Sequence, residues 1–118
     1  MPTFLQVAFD ADDAEAIARF WAEVLDAVVE DGASSASAAV SPRTPGAHPR
    51  LVFHHVPEGK TVKNRVHLDV ASSDPEADIT RFRALGAARL VDRRAEDGSL
   101  RWSTLADPEG NEFDLVVR

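Results

Sequence analysis

The sequence repeats one pattern about sixty residues apart, and this internal repeat constrains the fold more than any other feature. The stretch Leu5 to Val29 reads as a strand, an acidic cap and an amphipathic helix, and Val66 to Val91 reads the same way. Superposing the two places Gln6 over His67. Repeats of this kind are supersecondary units that cannot bury their apolar face alone. We therefore expect the two copies to pack together, with any pocket where they meet.

Composition and charge narrow the class of protein. A hydrophobic content of 44% in 118 residues suits one domain. The chain has no cysteine, which excludes a disulfide framework and a thiolate metal site and fits a reducing compartment. The net charge of -7 argues against binding to nucleic acid, whose phosphates are also negative. No segment approaches the roughly 18 apolar residues that a membrane-spanning helix needs. We expect a cytoplasmic protein, without a signal peptide, whose partner is a small molecule.

The first module, residues 1–57, begins with a strand in which Leu5, Val7 and Phe9 alternate with polar or small residues. Asp12 or Asp13 caps a helix whose apolar side chains recur at helical spacing. Because Phe20 and Trp21 follow that spacing, we expect them in the core. The predicted strands after the helix are Val28 to Glu30, Ala38 to Val40 and Leu51 to Val56, within a segment otherwise rich in Ala, Ser, Pro and Gly.

The second module, residues 65–118, gives clearer signals after a linker at 58–64. Asp74 and Pro75 suit the N-cap and first position of a helix, and Gly86 suits a left-handed C-cap. The predicted strands are Val66 to Val70, Leu90 to Asp92, Leu100 to Ala106 and Glu112 to Val117. The order is therefore βαβββ in both modules. A ferredoxin-like dimeric barrel is the alternative fold, but its βαββαβ order fits the strand-rich C-terminal third poorly.

Two motifs resemble a known superfamily. They are the turn Asp107-Pro108-Glu109-Gly110-Asn111 with the strand that follows it, and the segment Lys63-Asn64-Arg65-Val66-His67-Leu68-Asp69. Together with the Phe-Trp helix near the start, they are similar to the glyoxalase, bleomycin-resistance and extradiol-dioxygenase superfamily, also called vicinal oxygen chelate, and to its glyoxalase-like branch. The resemblance implies an α+β fold of two tandem βαβββ modules, which form a cupped, barrel-like eight-stranded mixed sheet with the helices outside. It also implies a homodimer, because open sheet edges commonly pair.

The resemblance points to four metal-ligand positions, one in the first and one in the last strand of each module. Matched residue by residue, Gln6 and His67 take the first-strand positions and Asp114 takes the final one. His54 takes the remaining place because it precedes Asp114 by sixty residues, and His55 replaces it if the register slips by one. Imidazole, carboxylate and amide oxygen suit Zn, Ni, Co, Mn or Fe. Some members of the superfamily bind their ligands without a metal, so a site that contains no metal is the alternative.

Two function classes follow from the resemblance. The first is a metal-dependent isomerase or lyase of the glyoxalase type acting on a small oxygenated metabolite, with Asp114 as both ligand and proton acceptor. The second is a non-catalytic protein that sequesters a drug or antibiotic, as bleomycin-resistance proteins do. An extradiol dioxygenase fits less well, because its triad of two His and one Glu is not matched.

Two further residues are candidates for ligand binding. Arg65 shares the polar face of its strand with His67, and its guanidinium could hold a ligand carboxylate. Trp102 follows Arg101 in a predicted strand, where its indole could stack on a ligand. Asp10 and Asp69 could line the same pocket, although an exposed carboxylate at a strand edge is the commoner outcome.

Overall fold

The computed structural model describes all residues, 1–118, and divides into two compact units, Met1–Gly59 and Lys60–Arg118. The first unit consists of β1 (Gln6–Ala11), α1 (Ala14–Leu25), β2 (Val28–Val29), β3 (Ser37–Ser41) and β4 (Arg50–His55). The second consists of β5 (Leu68–Ser72), α2 (Pro75–Ala84), β6 (Ala88–Arg94), β7 (Leu100–Ala106) and β8 (Glu112–Val117). The predicted α+β class and the repeated βαβββ order are confirmed, and the eight strands form two open four-stranded mixed sheets.

The first sheet has the strand order β1-β4-β3-β2, with β1 parallel to β4 and the other pairs antiparallel. Phe9 stacks on Phe53 at 4.9 Å between ring centroids and lies 6.0 Å from Trp21 of α1. Since successive side chains of a strand point to opposite faces, Gln6 and His54 lie on the face opposite α1. Trp21 is only 1% exposed, so its predicted place in the core is confirmed.

The second sheet repeats this topology with the order β5-β8-β7-β6. Phe113 of β8 is fully buried and lies 6.3 Å from Phe82 of α2, measured between ring centroids. Leu105 and Leu115 are also fully buried on that side of the sheet. Asp114 follows Phe113 in the strand and therefore points to the face opposite α2.

Local signals fix where the two helices begin. The Asp13 carboxylate accepts a hydrogen bond from the backbone N–H of Ala16 at 3.1 Å, which makes it the N-cap of α1. Asp74 is the N-cap residue of α2 but makes no capping hydrogen bond with its side chain. Instead, its own backbone N–H donates to the Ser72 hydroxyl, and that hydroxyl donates to Asp78. The second helix therefore begins where predicted, with a different set of contacts.

The loop before β5 is tied to the second sheet. Part of the segment predicted as a linker contacts Glu112, since Lys60 Nζ lies 2.8 Å from its carboxylate and the backbone N–H of Asn64 donates to it at 3.1 Å. The amide of Asn64 also donates to the side chain of Asn111 at 3.2 Å. These contacts fix the chain that leads into His67. Neither helix is long and apolar enough to span a bilayer.

Candidate functional site

Three side chains of the second unit converge on the face opposite α2. Nε2 of His67 lies 3.3 Å from Oδ1 of Asp69 and 3.3 Å from Oδ2 of Asp114. The three ligand atoms all lie within 4.8 Å of one another. An imidazole between two carboxylates is a donor set that divalent transition metals accept. The structure thus brings together two of the predicted ligands, His67 and Asp114, and adds Asp69.

Strand pairing explains why these residues meet. In the parallel pair β5–β8, Asp69 is directly in register with Asp114. His67 precedes Asp69 by two residues, which returns its side chain to the same face of the sheet. On the other side of β8, Thr104 of β7 is in register with Asp114, and its hydroxyl donates to Oδ1 at 2.6 Å. This hydrogen bond orients the carboxylate and leaves Oδ2 on the side of His67.

Gln6 of the first unit is already engaged. Its side-chain oxygen, the atom that would bind a metal, accepts a hydrogen bond of 2.7 Å from Arg50. Arg50 also donates to both carboxylate oxygens of Glu30, at 2.6 and 2.8 Å, and Glu30 accepts a further hydrogen bond from Ser41. The hydrogen bonds from Arg50 and then Ser41 lower the pKa of Glu30 to about 2. The side-chain oxygen of Gln6 is therefore already bound by the positively charged guanidinium of Arg50.

His54 lies at the other end of the same pair of strands. Gln6 is in register with Arg50, whereas His54 is in register with Asp10, four residues further along both strands. At a rise of about 3.3 Å per residue, this places the backbones of Gln6 and His54 about 13 Å apart along the sheet. Within the first unit, the structure does not bring these two predicted ligands together. Both His54 and His55 are exposed, and Nδ1 of His55 lies 2.8 Å from the carbonyl oxygen of Asp12.

The register also identifies the residue of the first unit that is equivalent to Asp114. Val7 pairs with Leu51 in the first sheet, and Leu68 pairs with Phe113 in the second. Gln6 corresponds to His67, so the next residues, Val7 and Leu68, also correspond. Their strand partners, Leu51 and Phe113, are therefore equivalent. One residue further along, Val52 is equivalent to Asp114. Val52 is apolar and buried. His54 was selected because it precedes Asp114 by sixty residues, but equivalent residues of β4 and β8 are sixty-two residues apart. His54 as a metal ligand therefore stays a prediction that the strand register does not support.

The two predicted ligand-binding residues lie in the second unit. Arg65 is exposed, and it precedes His67 by two residues in the segment leading into β5. Trp102 of β7 is half-buried and in register with Val116, so Asp114 is its diagonal neighbour, about 7–8 Å away between backbones. The guanidinium of Arg93 lies 5.7 Å from the centre of the Trp102 ring. One face of the indole therefore already carries a cation–π contact.

Sequence reasoning missed several polar residues of the two sheets that contact predicted site residues or their neighbours. Thr104 and Arg50 are ordinary polar strand residues in the sequence, and only strand register shows their contacts. Glu112 could have been found, because it precedes Asp114 by two residues and so shares its face of β8. Its ion pair with Lys60, with the hydrogen bond from Asn64, lowers the pKa of the carboxyl group. Lys60 thus pairs with Glu112 and holds the loop before β5 against β8.

Comparison with known proteins identifies the family. The family model described as glyoxalase-like domain matches residues 6–116, which is nearly the whole chain. The chain belongs to the glyoxalase-like domain family. The resemblance inferred from the C-terminal turn and the repeat is therefore confirmed. Among the curated proteins, none matches this glyoxalase-like sequence significantly.

Solved structures with the same fold include proteins of several activities. A glyoxalase/bleomycin resistance protein/dioxygenase family enzyme from Burkholderia phytofirmans PsJN has a TM-score of 0.70 at 16% identity, over 95% of each chain. A variant of the fosfomycin resistance protein FosX from Listeria monocytogenes, in complex with Mn(II) and a dihydroxypropylphosphonic acid, has a TM-score of 0.73 at 15% identity, over 98% of this chain and 90% of that chain. Lactoylglutathione lyase from Agrobacterium tumefaciens has a TM-score of 0.64 at 17% identity, over 99% of this chain and 94% of that chain. At these identities the likeness shows the fold alone.

Proposed function

We propose that this glyoxalase-like protein binds a small oxygenated metabolite beside a divalent metal ion and catalyses isomerase or lyase chemistry on it. The observation that carries the proposal is the approach of His67 Nε2 to Asp114 Oδ2, at 3.3 Å, on one face of the second sheet. Imidazole and carboxylate together suit Zn, Ni, Co, Mn or Fe. His67 and Asp114 would hold the ion. Mn(II) in the FosX relative supports this class of metal.

The side chains of the site have separate roles in the proposed reaction. A bound divalent metal would polarise a substrate carbonyl. Asp114 accepts the proton from the carbon next to that carbonyl, at Oδ2, because Oδ1 is occupied by the Thr104 hydroxyl. Because His67 would bind the metal through Nε2, which lies 3.3 Å from Oδ2, that nitrogen takes no proton. Asp114 itself then returns the proton to the neighbouring carbon, which completes the isomerisation. Asp114 is therefore the proposed catalytic residue.

We assign substrate binding to Arg65 and Trp102. Arg65 is exposed and precedes His67 by two residues, so a carboxylate or phosphonate group of the substrate could pair with its guanidinium. Trp102, the diagonal neighbour of Asp114, would contact an apolar part of the substrate.

Metal titration tests the proposal directly. Protein purified without a chelator or a metal-affinity tag is titrated with Mn(II), Ni(II), Co(II), Zn(II) and Fe(II), and heat is measured by calorimetry. We expect one site in the wild type, and at least about a hundredfold weaker binding in the double variant with His67→Ala and Asp114→Ala, since loss of outer-shell partners alone costs 10–100-fold. His48→Ala is the control, because His48 lies outside both sheets.

Equal metal affinity in the double variant and the wild type would exclude the metal enzyme. The protein would then fit the second function class, a binder that sequesters a small molecule. Such a binder shows ligand-dependent increases in melting temperature in the metal-free form. Screening the metal-free protein against cationic drugs, which its net charge of -7 attracts, measures this alternative.

We also propose that the protein forms a homodimer. The first sheet ends at β1 and β2 and the second at β5 and β6, so each has open edges with unpaired backbone groups. Leu90 and Val91 in the edge strand β6 are 53% and 61% exposed, which adds apolar surface to one of these edges. Light scattering at micromolar concentration should give twice the mass of 12.8 kDa. A monomer under these conditions would contradict the proposal.

A further inference from the structure

We infer that Asp69 is the third protein ligand of the metal, so that the second unit alone supplies the metal-binding side chains. This inference rests on the proposed function, because it specifies the ligand set of the same site. It differs from the expected set, in which Gln6 and a residue of β4 complete the coordination. The evidence comes from the register of β5 with β8, from the contacts of Gln6 and from the equivalent position in the first sheet.

The register of the second sheet places two carboxylates side by side. Asp69 and Asp114 are direct partners in neighbouring strands, and like charges directly opposite each other destabilise a sheet. Their oxygens lie within 4.8 Å of one another and of His67 Nε2. A divalent cation bound by all three side chains would relieve this repulsion. The side chain of Asp69 is 62% exposed, so a cation from solvent can reach its carboxylate.

The two positions of the first unit that correspond to His67 and Asp114 offer no free donor atom. The side-chain oxygen of Gln6 accepts a hydrogen bond from Arg50, whose positive charge also opposes a metal ion at that atom. At the position equivalent to Asp114, the first sheet carries Val52, which has no donor atom. Asp69, in contrast, corresponds to Ala8 of the first unit, so this carboxylate is present in only one copy of the repeat. The asymmetry between the copies therefore places the donors in the second unit.

The test compares Asp69→Asn with Gln6→Ala in titrations with Mn(II) alone and with Ni(II) alone. Asparagine keeps the size of the aspartate side chain while removing its charge, and the exposed position makes misfolding a minor risk. We expect Asp69→Asn to weaken Mn(II) binding at least about tenfold. Gln6→Ala and the matched control Asp31→Asn, an exposed carboxylate in the loop between β2 and β3, should stay within about twofold of the wild type.

Salt distinguishes a ligand from a nearby charge. At about 1 M salt the Debye length is about 3 Å, so a through-space effect of Asp69 is largely screened while a coordination bond persists. The affinity loss of Asp69→Asn should therefore remain at high salt. The electron paramagnetic resonance spectrum of bound Mn(II) should also change in Asp69→Asn and not in Gln6→Ala.

Three results would overturn the inference. They are wild-type affinity in Asp69→Asn, a loss in Gln6→Ala as large as that in Asp69→Asn, or a loss that disappears at high salt. His67→Ala separates this failure from that of the proposed function. If His67→Ala weakens binding and Asp69→Asn does not, only the inference about Asp69 is wrong. If neither variant changes the affinity, the proposed metal site is wrong as well.

Discussion

At the scale of single residues, the contacts of Arg50 organise the polar face of the first sheet. Its guanidinium donates to both oxygens of Glu30 and to the side-chain oxygen of Gln6. A bidentate pair between arginine and a carboxylate is stronger than a single hydrogen bond. The pair raises the pKa of Arg50 and lowers that of Glu30 to about 2 from its ordinary 4.5. One arginine thus ties the loop after β2 to β4.

This ion pair predicts a particular pH dependence of stability. Because the pKa of Glu30 is lower in the folded state, the stabilisation is fully present above pH 4.5 and is lost as the pH falls towards 2. Both side chains are partly exposed, so we expect about 1 kcal/mol. Glu30→Gln should therefore be about 1 kcal/mol less stable than the wild type at pH 7, with the difference vanishing near pH 2. Urea unfolding of both proteins at a series of pH values measures this difference in the free energy of unfolding.

The matched control for this prediction is Glu58→Gln, which removes the same charge from an exposed loop position. Its stability should follow that of the wild type at every pH. A difference between Glu30→Gln and the wild type that stays constant from pH 7 to pH 2 would show that Glu30 acts through packing, not through its charge.

At the scale of elements, the turn between β7 and β8 determines where Asp114 lies. Asp107 is only 3% exposed, and its Oδ1 accepts hydrogen bonds of 2.9 Å from the backbone N–H groups of Glu109 and Asn111. Gly110 adopts a φ of 87°, a left-handed conformation that glycine tolerates best. The turn therefore sets the register of β8, and with it the pairing of Asp114 with Asp69 and Thr104.

We expect Asp107→Ala to destabilise the protein by about 1–3 kcal/mol, because it leaves two partly buried N–H groups without their acceptor. The comparison variant is Asp97→Ala. Asp97 plays the same part in the turn between β6 and β7, where it accepts hydrogen bonds from Ser99, but it is exposed to water. Urea unfolding should show a clearly smaller loss for Asp97→Ala. Equal losses in the two variants would mean that burial of Asp107 is unimportant.

Most helices and strands could be predicted from the local sequence, but the pairing of the strands with one another could not. The strands Leu100–Ala106 and Glu112–Val117 have the predicted bounds, because turn residues delimit an alternating apolar pattern. The strand β5 begins at Leu68 instead of Val66, and Val66 is 78% exposed. Alternation alone extends a strand as long as the pattern continues, whereas the real strand begins where backbone pairing with β8 begins.

At the scale of the whole molecule, the two units have the same order of elements but different polar chemistry on the faces opposite their helices. The first unit carries the pair of Arg50 and Glu30, with Gln6 bound to the arginine. The second carries His67 between two aspartates. A common ancestor for the two copies would explain the shared order. The differences at corresponding positions are what confine the proposed metal chemistry to the second unit.

The sequence by itself determined the α+β class, the repeated βαβββ order and the buried aromatic residues, because these depend on local periodicity and on turn residues that act within a few positions. The resemblance of its motifs to known proteins indicated the family. The sequence also determined that His67 and Asp114 share the polar side of their strands. Only the tertiary structure decided that Asp69 lies beside Asp114, that Arg50 holds Gln6, and that Val52 takes the register position equivalent to Asp114. The reason is strand register: a shift of two residues keeps every side chain on the same face, so periodicity cannot detect it, yet it changes which side chains meet.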